Sequence, residues 1–393
     1  MDTKTVQRRY DLDWLRVLAF SAVFLYHCSR FFDASYWHIK NSNPSPLVDT
    51  LKGIFDLWGM PLIFMISGAS IFFALRRSNV LRFLRARVLR LLVPLVLGIL
   101  VLAPPQRYLE RLTHGQFQGG FLEYLPVYFR DWRVWNGEFD WVGVHLWYLA
   151  YLFLFTLVLL PLFAALKRPA GQRLTRLLAR LSSRPGMIFL WVLPGVLLII
   201  LGDPYGLRGP APAEYITRMF LSIFVIYGFL VFSDLRIQQA IIRHRRVALV
   251  LALALILAAP IVTGLLEEDP SYLIYALGIL LVGILIWSCI LAVLGYGMRY
   301  MTSNHRLLAY ANEGVLPFYI LHQPVILIIG YFIIPLQLSI LAKYLIIATL
   351  SFGITLGLYE YGVRRVNVVR LVFGLKPRKP AVSLADLVAQ PVP

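Results

Sequence analysis

Cysteine is scarce in this chain. Only Cys28 and Cys289 occur, each inside an apolar stretch, which leaves no disulfide framework and no zinc spacing. The seven histidines stand apart and no His-x-x-x-His pair exists, so no metal site is expected. There is no Walker A loop, no dinucleotide fingerprint and no Gly-x-Ser-x-Gly elbow, which excludes those routes to phosphate, nicotinamide and serine-hydrolase chemistry. No internal repeat is evident, an argument against an inverted-repeat transporter. A small-x-small cleavage site is also missing after the first apolar run, which passes directly into His27-Cys28-Ser29-Arg30. That run is read as an uncleaved first span and not as a removed leader.

What the chain has in quantity is apolar length. Of 393 residues 59% are hydrophobic, and the mean hydropathy is +0.71. These values exclude an ordinary soluble domain and point to a polytopic membrane protein. The fold class expected is an all-α integral membrane bundle. Ten segments are long and apolar enough to cross as helices, near 13–31, 54–75, 88–104, 144–166, 187–202, 215–233, 247–266, 271–297, 310–334 and 340–362. Residues 1–375 read as a single transmembrane domain and 376–393 as a Pro-rich, disordered cytoplasmic tail.

Acidic residues number 20 against 38 Lys+Arg, a net charge of +18. Such a balance can signal nucleic acid, but topology accounts for it better. With both termini on one side, that side collects 28 of the 38 cations and about 7 of the acids. The positive-inside rule then places both termini in the cytoplasm of an inner-membrane protein, and an even span count follows.

The strongest chemical clue lies in the first span. Arg16 and His27 are eleven residues apart, three helical turns with about 20° left over, so both project from one face roughly 16 Å apart along the axis. Both are costly in lipid, which argues for a protein interior or a wet cavity. Asp11 and Asp13 lie beside Arg16. A neutral imidazole at His27 can take a proton from a hydroxyl. Arg16 could equally snorkel to the headgroups.

A basic run follows the second span, with Arg76, Arg77, Arg82, Arg85, Arg87 and Arg90 and no lysine. Arg82/Arg85 and Arg87/Arg90 are i,i+3 neighbours on a helix. Paired guanidiniums suit phosphate, such as that of coenzyme A, with Arg85, Arg87 and Arg90 as the candidates. The competing reading is an anchor on anionic lipid. Two further polar stretches interrupt apolar sequence: His145-Leu146-Trp147-Tyr148-Leu149, and Asn312-Glu313 through Pro317, Tyr319, His322 and Pro324. Intramembrane ionisable groups are functional candidates by default, and the two prolines free backbone carbonyls that protein or water must satisfy. Ser67-Gly68 reads first as a close helix contact. Two long non-cytoplasmic connections, Phe31–Gly53 with Trp37-His38 and Pro105–Gly143 with Trp132, Trp135, Glu138, Asp140 and Trp141, mix rings with polar groups. Stacking rings with flanking acids suit carbohydrate, while single tryptophans also fit an interfacial belt.

Taken in order, these residues resemble the acyltransferase 3 family of membrane-bound acyltransferases. The resemblance rests on Arg16-x10-His27, on Arg87-x-x-Arg90 followed by Pro94, on Ile66-Ser67-Gly68, on His145 to Leu149, and on Tyr319-x-x-His322. It runs from Tyr10 to about Pro377. Within the family the likeness is nearest to the glucan biosynthesis protein C branch, through Trp37-His38, Asn43-Pro44-Ser45, Leu358-Tyr359-Glu360 and Phe373-Gly374-Leu375-Lys376-Pro377.

The resemblance implies transfer of an acyl group, succinyl or acetyl, from cytoplasmic acyl-CoA to an extracytoplasmic glycan, with a periplasmic glucan as the branch acceptor. Some members carry an additional extracytoplasmic hydrolase-like domain. Without one, transfer is expected within the membrane domain itself. The catalytic candidates are His27, Arg16 and Asp13. Arg85, Arg87 and Arg90 are the donor-binding candidates, and Trp37, His38, His145, Trp147, Glu313, Tyr319 and His322 the acceptor-side ones. The expected partners are acyl-CoA, the glycan and membrane lipid. His27 could act as a base or be acylated itself. A proton-coupled transporter or polysaccharide exporter, and a non-catalytic partner of a glycan-synthesis complex, are the other function classes. The acyl group, the glycan and the oligomeric state stay open at this level.

Overall fold

The computed structural model describes residues 8–130, 144–202, 210–268 and 271–378, and among these no strand occurs. Every segment read as a span is helical. In chain order the helices are α1 Tyr10–Ser29, α2 Pro46–Arg77, α3 Val80–Thr113, α4 Phe121–Arg130, α5 Val144–Val158, α6 Leu160–Leu166, α7 Pro169–Ser182, α8 Met187–Gly202, α9 Pro210–Ser233, α10 Leu235–Glu268, α11 Tyr272–Tyr300, α12 Arg306–Ile333, α13 Ile340–Val363 and α14 Asn367–Val372.

Among the described residues, six helices are long and apolar enough to cross a membrane: α2, α3, α10, α11, α12 and α13. A seventh arises if α5 and α6, bent by 51°, count as one span. The six-helix count is smaller than the ten expected. Helix α1 carries Asp11, Asp13 and Arg16 in its first two turns, which lowers its apolar content, and α8 and the described stretch Arg218–Ser233 of α9 are shorter apolar helices. All three pack with the rest. Helix α3 starts and ends beyond the expected 88–104 because its flanks, Val80–Arg87 and Ala103–Thr113, are polar and yet helical.

Helix α1 lies against α2, α11 and α12, so its Arg16–His27 face meets protein. Helices α2 and α9 cross at two glycines. A Cβ on Gly68 would collide with the Val225 carbonyl, and one on Gly228 with the Met65 carbonyl. Only hydrogen side chains permit this backbone contact. It bears out the reading of Gly68 as a packing position.

Helix α3 is wound as π-helix over Val88–Leu92 and again over Gly98–Leu102. The π-turn widens the helix by one residue, and here it directly follows Arg87. Within α12, Pro317 and Pro324 lie inside the helix. Pro324 has no N–H, so the carbonyl of Ile320 loses its helical donor. The His145 ring fills that vacancy, with Nε2 3.1 Å from the Ile320 oxygen. The proline thus ties the start of α5 to the middle of α12.

Candidate active site

Two cavities enter the bundle from opposite ends and share three wall residues, Phe20, Ile63 and Tyr148. The larger is about 400 Å³ and is lined by Arg16, Arg87, Arg90 and Lys376, with Ser67, Ser70, Ser78 and Asn312. Among the described residues, no acidic side chain lines it. The smaller is about 250 Å³ and is lined by His27, His145, Tyr26, Trp37, Trp147 and Tyr319, with Arg30 and Asp56.

In the basic cavity, Arg16 is held by its own protein. Its guanidinium donates to Asn312 Oδ1 at 2.8 Å and to Ser70 Oγ at 2.9 Å, and lies 3.3 Å from Asp13. Arg87 is buried, with its guanidinium 5.0 Å from the centre of the Phe83 ring. No described carboxylate pairs with Arg87, Arg90 or Lys376. Three unneutralised cations converging on one cavity make a strong anion site, because charge-assisted hydrogen bonds to phosphate are among the strongest a protein can offer.

The second cavity is organised around a pair of histidines. His27 Nδ1 and His322 Nε2 are 2.8 Å apart. His322 Nδ1 lies 2.5 Å from the Tyr319 carbonyl oxygen. A carbonyl can only accept, so His322 carries its proton on Nδ1 and offers a lone pair at Nε2. His27 must then donate from Nδ1, which leaves the lone pair of its Nε2 free in the cavity. Trp37 stacks on the His27 ring at 5.6 Å and 15° and holds its plane. The arrangement gives His27 a fixed tautomer with one free ring nitrogen, oriented by a buried second imidazole, which is the geometry a general base needs.

Between the cavities stands a collar of rings. Phe20, Tyr148 and Tyr319 meet edge to face, with centroids 5.3 to 5.9 Å apart. Both phenols are tied. Ser67 gives its proton to the Ile63 carbonyl at 2.9 Å and accepts from Tyr148 at 2.7 Å. Tyr319 donates to the His145 carbonyl at 2.5 Å.

The structure brings together many of the residues singled out from sequence. His27, Trp37, His145, Trp147 and Tyr319 line one cavity, with His322 directly behind His27. Arg16, Arg87 and Arg90 line the other. Besides His322, four candidates lie outside both. Arg85 is exposed on the outer face of α3. Asp13 bridges Arg8 at 2.8 Å and Arg16 at 3.3 Å near the start of α1, well away from His27. Glu313 bridges Arg370 at 2.7 Å and Arg364 at 3.5 Å, on the basic side and not in the ring-lined cavity. His38 is buried against Glu110, 2.6 Å from a carboxylate oxygen, with Gln323 at 3.2 Å on its other nitrogen.

That last cluster fixes the loop bearing Trp37. Glu110 also accepts from the Tyr36 hydroxyl and from Arg107 at 2.8 Å. Asp33 takes Arg30 at 2.6 Å and Lys40 at 3.2 Å. Burial pushes the Lys40 ammonium down from its ordinary range, against the pull of Asp33. Lys343 closes the loop from α13 through Asn41 Oδ1 and the Ile334 carbonyl. Glu110 and Lys376 were not among the sequence candidates; Glu110 stands in Arg107-Tyr108-Leu109-Glu110-Arg111, where flanking arginines make it read as an ordinary surface ion pair. Trp132, Trp135, Glu138, Asp140 and Trp141 lie outside the described residues.

Curated relatives carry the name "Glucans biosynthesis protein C", in Escherichia coli strain SMS-3-5, in strain O157:H7 and in strain HS of serotype O9:H4. Each is 22% identical over 393 residues, covering 96% of this chain and 97% of the relative. No solved structure matches the chain. A family model described as an acyltransferase domain, that of acyltransferase 3, matches residues 9–360, and the chain belongs to that family.

Proposed function

We propose that this protein moves an acyl group from cytoplasmic acyl-CoA to a hydroxyl of an extracytoplasmic glycan, within a bacterial inner membrane. The observation that carries the reading is the pairing of an anion cavity with a general-base cavity, end to end across a ring collar. In this reading α1, α8 and α9 and the bent pair α5–α6 join the six long helices as spans. The basic end then faces the cytoplasm, as the cation count favours.

The donor phosphates lie against Arg87 and Arg90, and the thioester reaches through the collar toward His27. Arg16 belongs to the donor side. It is eleven residues, roughly 16 Å, from His27 along α1, too far for both to act on one carbonyl. An acceptor hydroxyl enters among Trp37, Tyr26 and Trp147, rings that suit the C–H face of a sugar. His27 Nε2 takes the hydroxyl proton as the oxygen attacks the thioester carbon. The C–S bond breaks, and the imidazolium returns the proton to the leaving thiolate. His322 keeps His27 in the productive tautomer throughout.

The relatives' name makes glucan the first acceptor to try. The test is label transfer from radiolabelled acetyl-CoA and succinyl-CoA to a panel of glucans by purified protein, beside His27→Ala. The expected result is label on a glycan, abolished in the variant. Transfer that survives in the variant would remove His27 from the reaction. No transfer and no CoA release from any donor, with folding verified, would remove the acyltransferase reading of this site.

A further inference from the structure

The C-terminal segment after α13 is not a free tail up to Arg378. Helix α14 and the residues that follow it fold back on the basic end of the bundle. Arg370 is buried and holds the turn from inside. It donates to the Lys376 carbonyl at 2.8 Å and the Arg364 carbonyl at 3.1 Å, and to Glu313 of α12 at 2.7 Å. Asn367 pairs through its side chain with the Arg378 backbone, accepting from its N–H at 2.8 Å and donating to its carbonyl at 3.3 Å. Phe373 and Leu375 are buried in the main apolar core.

Between them, Gly374 has φ +72°, and a Cβ there would lie 2.8 Å from the carbonyl oxygen of Arg90 and 3.2 Å from Pro94. Pro94 is the residue whose missing N–H leaves that carbonyl without its helical donor. The segment therefore crosses α3 at the position where Arg90 faces the cavity. The next residue but one, Lys376, is part of the cavity wall.

We propose that this C-terminal strap is a working wall of the donor site and that Lys376 binds donor phosphate directly, alongside Arg87 and Arg90. The proposal rests on the acyl-CoA reading above and goes beyond it. Lys376 supplies the cavity's fourth cation, and it comes from a different part of the chain than the three arginines. A lysine is a compact point charge on a flexible stem, so it can add a contact to a phosphate that the planar guanidiniums already hold. The Arg370–Glu313 pair is the positioning element, because it locks the strap to the helix that bears Asn312. In this account Glu313 acts through the strap and never meets the acceptor.

The test is CoA binding by the full-length protein in detergent, followed by calorimetry at several salt concentrations. Lys376→Gln is expected to weaken CoA binding about tenfold, the effect of losing one charge-assisted contact, and to flatten its salt dependence. Lys376→Arg is expected to bind within about twofold of the unaltered protein. Glu313→Gln, which loosens the strap with Lys376 in place, is expected to weaken binding less than Lys376→Gln, while thermal unfolding confirms an intact fold. If Lys376→Gln binds CoA as the unaltered protein does, with the same salt dependence, the proposal is wrong and the donor reading survives. If the unaltered protein binds no CoA, the donor reading fails and takes this proposal with it.

Discussion

The two cavities solve opposite problems. The basic one leaves three of its four cations unpaired: Arg87, Arg90 and Lys376 face shared space with no carboxylate among the described lining residues. The ring-lined one is held by lines of hydrogen bonds. His27, His322 and Tyr319 form one hydrogen-bonded line, and His38, Glu110, Arg107 and Tyr36 form another behind Trp37. Unpaired charge favours capture of an anion, while fixed orientation favours chemistry at one atom. The division predicts that substitutions at one end change binding and those at the other change rate.

The sharpest break in that division is His27→Ala. Transfer should fall by ~10³-fold or more, the usual worth of a general base, with CoA affinity unchanged. Rate loss and CoA affinity, measured on one preparation, check both halves. Next is His322→Ala, which frees the His27 ring to take the wrong tautomer. A fall of ~10²-fold in kcat is expected with little change in donor KM, a split visible in steady-state kinetics.

Arg87→Ala with Arg90→Ala should do the reverse. Donor KM rises by ~10²-fold while kcat at saturating donor is nearly kept, since each lost charged contact costs on the order of 1.5–3 kcal/mol. A matching collapse of kcat would merge the two cavities into one functional unit. The smallest effect belongs to the collar. Phe20→Ala should improve longer acyl donors relative to acetyl by roughly tenfold, read from competing donors in one assay. Unchanged donor preference would mean that the rings do not gauge the acyl group.

Much of this was legible in the sequence because it depends on local periodicity. Arg16 and His27 share a face by helical spacing alone, and the apolar runs mark the helices. Partnership across the chain was not legible. His322 stood out as an intramembrane histidine, but its role depends on meeting a residue 295 positions away. The signal that could have hinted at such a junction is Pro324, which orphans the Ile320 carbonyl that His145 then fills. Glu313 misled for the same reason. Default reasoning places an intramembrane acid at the substrate, whereas α14 supplies Arg370 to neutralise it. Lys376 sat at the edge of a Pro-rich stretch whose composition reads as loose chain. Its docking depends on Gly374 and Arg370, which no periodicity reveals.

The ring collar has an electrical consequence. If water fills both cavities, the membrane's potential does not fall gradually over a hydrocarbon thickness of ~30 Å, but mostly across the layer of Phe20, Tyr148 and Tyr319. A unit charge crossing that layer works against ~2.3 kcal/mol per 100 mV within a few ångströms. A neutral thioester feels almost none of this, and a proton feels all of it. On the proposed route, the three rings that admit an acyl group would also insulate an energised membrane from the hole made to pass it.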